Sequence, residues 1–136
     1  MSYSLSLYKF QNGVPVPPDR DQVRAILAPY DAAPEKTTGD STEFWIRAAD
    51  GSEVEVDVVD CVIGIERPQP GAVWKIIIEL ADRASGAVLI PDGTFLCRED
   101  MRPHLPEGME GDSVFVPEIT IEAFERVAGP FTPPLI

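Results

Sequence analysis

The feature of this chain that most constrains its fold is the segment 52–59, in which apolar and acidic residues alternate strictly. A period of two is the side-chain repeat of a β-strand, so one set of side chains faces a core and the other faces away from it. The apolar set is Val54, Val56 and Val58, and the acidic set is Glu53, Glu55 and Asp57. Such a strand belongs in a sheet with one covered and one solvated face.

Two further strands are expected beside this segment. Residues 42–49 contain Phe44 and Trp45 and lead through Asp50-Gly51, a pair typical of a two-residue type I′ hairpin turn. Residues 61–66 form a third short apolar run, so the three segments predict an antiparallel meander. Because Phe44 and Trp45 are neighbours on a strand, they point to opposite faces, and one of them is a candidate for exposure.

The remaining pattern predicts an α+β fold. Asp19 is a good N-cap for a first helix, residues 72–84 carry the apolar stripe of a second helix that Gly86 ends, and residues 117–128 suit a third. Strands are expected at 2–10, 88–90 and 94–97, with Asp92-Gly93 as a hairpin-type turn between the last two, and 114–116 is a candidate for a further short strand. Residues 31–41 are expected to be a surface loop, and 98–111 has no regular pattern. The order β-α-β-β-β-α-β-β plus an irregular tail predicts a single domain, 1–136, built as a two-layer sandwich. Its sheet is mostly antiparallel, with two to three helices on one face.

The charge balance limits the partners of the chain. Asp and Glu number 23 against 11 Lys and Arg, which gives a net charge of −12. Nucleic acid and anionic membrane surfaces are therefore disfavoured, and a basic protein is favoured. No basic N-terminal region precedes a long apolar run, and no apolar stretch approaches the ~20 residues of a membrane span. A soluble, cytoplasmic protein of bacterial type is the expectation.

The motifs of common enzyme classes are missing from the sequence. There is no phosphate-binding loop, dinucleotide fingerprint, nucleophile elbow or C-x-x-C pair. His104 is the one histidine, and its spacing to Cys61 and Cys97 matches no compact zinc motif. Cys97 ends an apolar strand, where cysteine acts as a small hydrophobic residue. The sequence predicts no cofactor, metal or catalytic residue, and it favours a binding protein over an enzyme.

Three functional hypotheses follow from these observations. In the first, the carboxylates Glu53, Glu55 and Asp57 and the neighbouring Trp45 form a surface that docks a basic protein. In the second, a small enzyme or ligand-binding domain has a pocket near Trp45, Arg98 and His104, with Arg102 as a further anion-binding candidate. In the third, the chain is a structural protein that self-associates through a strand edge or through its apolar tail, residues 131–136.

The segment IIIELADRASGAVLIPD, residues 76–92, resembles one found in small bacterial proteins. In these proteins a helix with a Leu-Ala pair leads through glycine into a short strand and a polar turn, and some of them resemble toxin-immunity proteins in length and acidity. The segment contains no catalytic motif, so no functional residue is carried over from it. The resemblance implies a non-enzymatic bacterial protein, of which an immunity-type inhibitor is the most concrete form.

Overall fold

The computed structural model describes residues 4–37, 42–91 and 93–128, and the predicted α+β fold is confirmed. Eight strands form a mostly antiparallel sheet: β1 (Ser4–Gln11), β2 (Val14–Val16), β3 (Glu43–Arg47), β4 (Glu53–Val59), β5 (Val62–Glu66), β6 (Ala87–Leu89), β7 (Phe95–Arg98) and β8 (Ser113–Val116). The three α-helices described are α1 (Arg20–Leu27), α2 (Val73–Leu80) and α3 (Ile121–Ala128).

The strand order across the sheet is β3-β4-β5-β1-β6-β7-β8, with the short β2 paired to the end of β1. All neighbours are antiparallel except β7 and β8, which run parallel. The first strand therefore lies in the middle of the sheet and separates the predicted meander, β3 to β5, from the later strands. This separation divides the sheet into two halves with different surroundings.

The helices pack on one face of the sheet, called here the inner face. The alternating valines of β4 are buried there, as predicted, together with Ile63 and Ile65 of β5. Trp74 of α2 and Phe124 of α3 are fully buried against each other, with ring centroids 5.3 Å apart. Asp19 caps α1 as predicted, because its Oδ1 accepts hydrogen bonds from the amides of Asp21 and Gln22.

The turn between β3 and β4 differs from the prediction. Ala48 N–H donates to the carbonyl of Ser52, so the loop has three residues, and among them Gly51 has a positive φ of 90° whereas Asp50 does not. A two-residue type I′ turn requires positive φ at both central residues, so the predicted type I′ turn is wrong. The loop belongs instead to the three-residue hairpin loops, in which a single left-handed residue, here Gly51, is sufficient.

This turn also caps α2. Asp50 Oδ2 accepts from the Ala72 amide at 2.9 Å, and Ser52 Oγ accepts from the Val73 amide at 3.0 Å. The Asp50 carboxylate in addition accepts from the Ser52 hydroxyl. The Ser52 hydroxyl, with the amides of Ala72 and Ser52, lowers the pKa of Asp50 to about 2. The meander is thereby attached to the helix layer at its turn.

Other boundaries also shift from the prediction. α2 continues as a π turn (Ala81–Ser85) before Gly86, which ends it with a φ of 94° as expected. The third helix begins only at Ile121, and the strand β2 was not predicted. Residues 1–3, 38–41, Asp92 and 129–136 lie outside the described residues. The predictions that fall on them are the start of the strand at 2–10, the far end of the surface loop, the Asp92-Gly93 turn and the apolar tail.

Candidate functional site

The outer face of the sheet, opposite the helices, is covered over only one of its halves. Residues 99–112, called here the cover segment, form two short 3₁₀ turns, Glu99–His104 and Glu110–Asp112, and the first of these contacts β1, β7 and β8. Apolar side chains from the sheet and the segment form a second core here: Tyr8, Phe10, Ala87, Phe95, Cys97, Met101, Leu105, Met109 and Phe115. The cover segment, which has no regular sequence pattern, therefore covers one half of the outer face of the sheet.

The other half of the outer face carries polar and charged side chains. We call it the open face, and its charged and polar part comprises these outward residues of three strands: Glu43, Trp45 and Arg47 of β3, Glu53, Glu55 and Asp57 of β4, and Gly64 and Glu66 of β5. Val59 and Val62 also point outward, at the end of these strands where Val62 lies opposite Tyr8. Trp45 is 50% exposed, whereas its neighbour Phe44 is buried in the core. The structure therefore places all four sequence-predicted binding residues, Glu53, Glu55, Asp57 and Trp45, on one face.

The strand register aligns the open face in rows. Trp45 lies directly opposite Glu55, and Glu55 lies directly opposite Glu66, so an aromatic ring and two carboxylates follow one another across three strands. Directly opposite side chains have Cβ atoms about 5 Å apart. In the next row Glu43 lies opposite Asp57. The carboxylates are therefore close enough to repel one another.

One of the predicted carboxylates is already paired. Arg47 Nε lies 2.7 Å from Glu53 Oε2, and the Arg47 guanidinium lies 5.9 Å from the centroid of the Trp45 ring. By contrast, Glu55, Asp57 and Glu66 form no ion pair or side-chain hydrogen bond with any other described residue. Glu43, which lies opposite Asp57, also forms no ion pair with the described residues, so the negative charge of the open face is centred on these four residues rather than on Glu53.

Two carboxylates of the open face were missed at the sequence level. Glu66 belongs to β5 and Glu43 to β3, and both point outward because Ile65 and Phe44, their neighbours in the chain, point inward. The signal was present, since the same period of two that identified the acidic side of β4 assigns both residues to the outer face.

Asp57 lies flat on the sheet because Gly64 has no side chain. A Cβ atom added to Gly64 would stand 2.2 Å from Asp57 Oδ1, which is too close for a real contact. This oxygen is inaccessible to solvent and has no hydrogen-bond partner among the described residues. A buried acceptor without a donor is unfavourable, so the local arrangement costs free energy in the protein alone.

A cleft of about 630 Å³ lies beside the open face. Its floor is formed by Trp45, Glu55, Asp57 and Glu66, and its wall by the loop 31–37, from which Lys36 also lines it. The Ala32 amide donates to the carbonyl of Trp45 at 2.8 Å and fixes this loop along β3. Arg47 and Glu53 do not line the cleft, so it lies on the side of Trp45 away from their ion pair.

The pocket predicted near Trp45, Arg98 and His104 does not form, because these residues lie in different parts of the sheet. Arg98 is on β7, five strands from β3, or roughly 24 Å away by strand spacing. Its Nη1 donates to the carbonyl of Asp82 in the helix layer, and its Nε pairs with Asp100, so it points to the inner side while Trp45 points to the outer one. β1 comes first in the chain but lies between β5 and β6 in the sheet, and the order of the elements along the sequence does not predict this position.

His104 and Arg102 belong to the cover segment and act there as structural residues. His104 Nδ1 accepts from the Asn12 amide at 3.3 Å, and its carbonyl accepts from Gly13, which fastens the segment to the turn between β1 and β2. Arg102 pairs with Glu99 and Glu110 and lies over the Phe115 ring, 3.8 Å from its centroid. The carboxylates of the cover segment itself therefore neutralise Arg102, which the sequence offers as an anion-binding candidate.

The cysteines and acidic residues do not form a reactive or metal-binding centre in the described part of the chain. Burial raises the pKa of Cys97 to about 11, which keeps its thiol protonated near neutral pH. Cys61 is half-buried in the turn between β4 and β5. Within residues 4–37, 42–91 and 93–128, no three His, Cys, Asp or Glu side chains converge on a position that could hold a metal ion.

The described helices are all too short or too polar to cross a membrane. Comparison of the chain with models of protein families, with curated proteins and with solved structures finds no match. The open face is therefore interpreted from its own geometry and charge.

Proposed function

We propose that this protein is a binding protein that docks a positively charged segment of another protein onto its open face. The observation that carries the proposal is the set of carboxylates of Glu55, Asp57 and Glu66, which form no ion pair with the described residues, beside the half-exposed Trp45. Acidic surfaces of this kind steer basic partners and select them by charge, and a half-exposed tryptophan is a typical anchor at the centre of an interface.

The distribution of ion pairs supports this proposal. Arg47, Arg83, Arg98 and Arg102 each have a carboxylate partner within the protein. Within the part of the chain that the structure describes, Glu55 and Glu66 have no such partner, although they lie directly opposite each other. Like charges in directly opposite positions destabilise a sheet. A cationic partner would relieve this repulsion between carboxylates when it binds. The relief would contribute favourably to the free energy of binding.

The shape of the cleft favours a protein segment over a small molecule. Sites for small molecules are mostly apolar and enclose the greater part of the ligand. The cleft beside Trp45 is lined by four carboxylates of the sheet, Glu43, Glu55, Asp57 and Glu66, and opens to solvent along the sheet. A surface of this kind suits an extended chain or loop that lies across the strands and presents basic side chains to them.

An immunity-type inhibitor is the most concrete form of the proposal. Such a protein neutralises a toxin by covering a surface that the toxin needs, and a basic toxin surface would complement the open face. The support for this form is the likeness of residues 76–92 to small bacterial proteins, together with a net charge of −12. The partner would then be a basic protein that is produced in the same cell.

The proposal is tested by comparing two variants of equal charge in a capture experiment. One variant carries Glu55→Gln, Asp57→Asn and Glu66→Gln on the open face. The control variant carries Glu107→Gln, Glu118→Gln and Glu125→Gln, all at exposed positions outside it. Both remove three negative charges, so a difference between them reports the position of the charges and not their number. Tagged proteins are used to capture partners from the native cells at low and at raised salt.

The proposal predicts a basic protein that the wild-type and control proteins retain and that the open-face variant loses. Retention should fall as the salt concentration rises, because exposed charges are screened over a Debye length of about 8 Å at physiological salt. The proposal is wrong if no captured protein distinguishes the two variants, or if the one that does so is acidic and indifferent to salt.

A further inference from the structure

We infer that the open face takes an arginine side chain, and not a lysine, as the anchor of its partner, with the guanidinium held between Trp45 and the carboxylates of Glu55 and Glu66. This inference rests on the proposed function and adds the chemical identity of the group that is recognised. It is carried by three observations: the row of opposite residues, the exposed ring that begins this row, and an arginine of the protein itself that already makes the same pair of contacts.

The first observation is the pairing of two acceptors at a fixed spacing. Glu55 and Glu66 are directly opposite each other on antiparallel strands, so their carboxylates start from Cβ atoms about 5 Å apart. A guanidinium is planar and presents five N–H donors in a rigid fork, which can reach two carboxylates at once. An ammonium group is a compact point charge that gains no such geometric advantage.

The second observation is the position of the aromatic ring. Trp45 is directly opposite Glu55, so the ring and the two carboxylates form one row, and the ring lines the cleft together with them. Arginine stacks on aromatic faces with its flat guanidinium while its N–H groups at the edge remain free to donate. A single arginine side chain can therefore contact the ring and the acceptors of this row together.

The third observation is an internal example of the same contacts. Arg47 places its guanidinium 5.9 Å from the Trp45 centroid and donates to Glu53 at 2.7 Å. This is an arginine between a tryptophan and a carboxylate of β4, on the side of Trp45 away from the cleft. The cleft side offers the same ring with Glu55 and Glu66 and holds no arginine from the described residues. The partner's arginine would repeat on this side what Arg47 does on the other.

The inference is tested with two blocked eight-residue peptides that alternate glycine with arginine or glycine with lysine. Both carry the same charge, and their affinities are measured by calorimetry at low salt for the wild-type protein and for three variants. Trp45→Leu removes the ring, and Glu66→Gln removes one negative charge and replaces one of its two acceptor oxygens with a donor. Val14→Ala is a control at an exposed apolar position on β2. Circular dichroism and thermal melting establish that each variant is folded.

We expect the arginine peptide to bind the wild-type protein about fivefold more tightly than the lysine peptide, the ratio that a stacking contact of ordinary strength provides. Trp45→Leu and Glu66→Gln should each reduce this ratio towards one, and Val14→Ala should leave it unchanged. Equal binding of the two peptides, lost at raised salt, would overturn the arginine inference while leaving the proposed function intact. Binding of neither peptide would count against both, and a preference for arginine that survives Trp45→Leu and Glu66→Gln would overturn the inference.

Discussion

The two halves of the outer sheet face are built from the same strand alternation, yet one is covered and the other is open. On β1 and β7 the outward positions are Tyr8, Phe10 and Phe95, whose ring centroids lie 5.7–6.3 Å apart beneath the cover segment. On β3, β4 and β5 most outward positions are charged or small; the apolar exceptions are Trp45 and the directly opposite pair Val59 and Val62. The outward residues therefore decide where the chain can bury apolar surface by folding back over the sheet. The exposed Trp45 among the carboxylates is the residue to which the proposed function assigns a role in binding.

The largest expected contrast is in stability. Phe10→Ala removes a ring that is 5% exposed in the covered half and should reduce the free energy of unfolding by about 3 kcal/mol, through lost burial and a cavity. Trp45→Ala on the open face should cost less than about 1 kcal/mol. Urea denaturation followed by circular dichroism measures both values. Equal losses would mean that Trp45 belongs to the core and that the two halves do not differ as described.

Each half of the sheet contains one cysteine, and the reactivity of the two thiols is expected to differ between the halves. Cys97 is buried under the cover segment with a pKa raised to about 11, whereas Cys61 is half-buried beside the open face. The raised pKa alone lowers the thiolate fraction of Cys97 by roughly a hundredfold relative to an ordinary thiol. A thiol reagent near neutral pH should therefore titrate one cysteine in the native protein and two in denaturant. Rapid native reaction of both would show that the cover segment opens readily.

Neutralising the open face should stabilise the protein and weaken binding at the same time. The double variant Glu55→Gln/Glu66→Gln removes a directly opposed like-charge pair, which should raise the free energy of unfolding by roughly 0.5 kcal/mol. The arginine peptide should bind this variant less tightly than the wild type. Glu125→Gln, an exposed position on α3, serves as the control and should change neither quantity. A loss of stability in the double variant would mean that these carboxylates support the fold.

Sequence patterns identified the open face but not what surrounds it. The alternation in β4 and the N-cap at Asp19 depend on local periodicity and hydrogen bonding, and both were read correctly. Three features depend on contacts between distant segments: the place of β1 in mid-sheet, the cover segment, and the separation of Trp45 from Arg98 and His104. The cover segment contains 3₁₀ turns at Glu99–His104 and Glu110–Asp112, and its apolar residues repeat neither every 3.6 residues nor every second residue. The local sequence therefore does not predict that this segment covers the sheet.

A substitution at Gly64, which lies beneath the Asp57 carboxylate, tests whether the position of Asp57 matters for binding. Gly64→Ala would place a Cβ atom 2.2 Å from Asp57 Oδ1, and the flexible carboxylate must then move away. We expect a change in stability below about 1 kcal/mol and a measurable loss of affinity for the basic peptides. Gly111→Ala is the matched control, since an added Cβ meets no atom within 4 Å there. Unchanged affinity in Gly64→Ala would remove Asp57 from the docking surface.

The smallest expected effect concerns the turn that attaches the open half to the helices. The pKa of Asp50 is lowered from 3.8 to about 2 in the folded protein, so its stabilising contribution is present above about pH 4 and is lost as the pH falls towards 2. Asp50→Asn should melt at a lower temperature than the wild type at pH 7, and the two melting temperatures should converge between pH 4 and 2. A difference that is independent of pH over this range would show that the charge of Asp50 does not stabilise the cap.

The most direct test of the central claim, that the open half of the sheet is the docking surface, is a map of where a basic ligand binds. Isotope-labelled protein is titrated with the alternating glycine–arginine peptide at low salt, and amide shifts are followed by NMR. The account predicts shifts concentrated on β3, β4, β5 and the loop 31–37, with the Trp45 indole among the most affected and the cover segment unchanged. Shifts centred on the cover segment or on the helices, or no shifts at any residue, would contradict it.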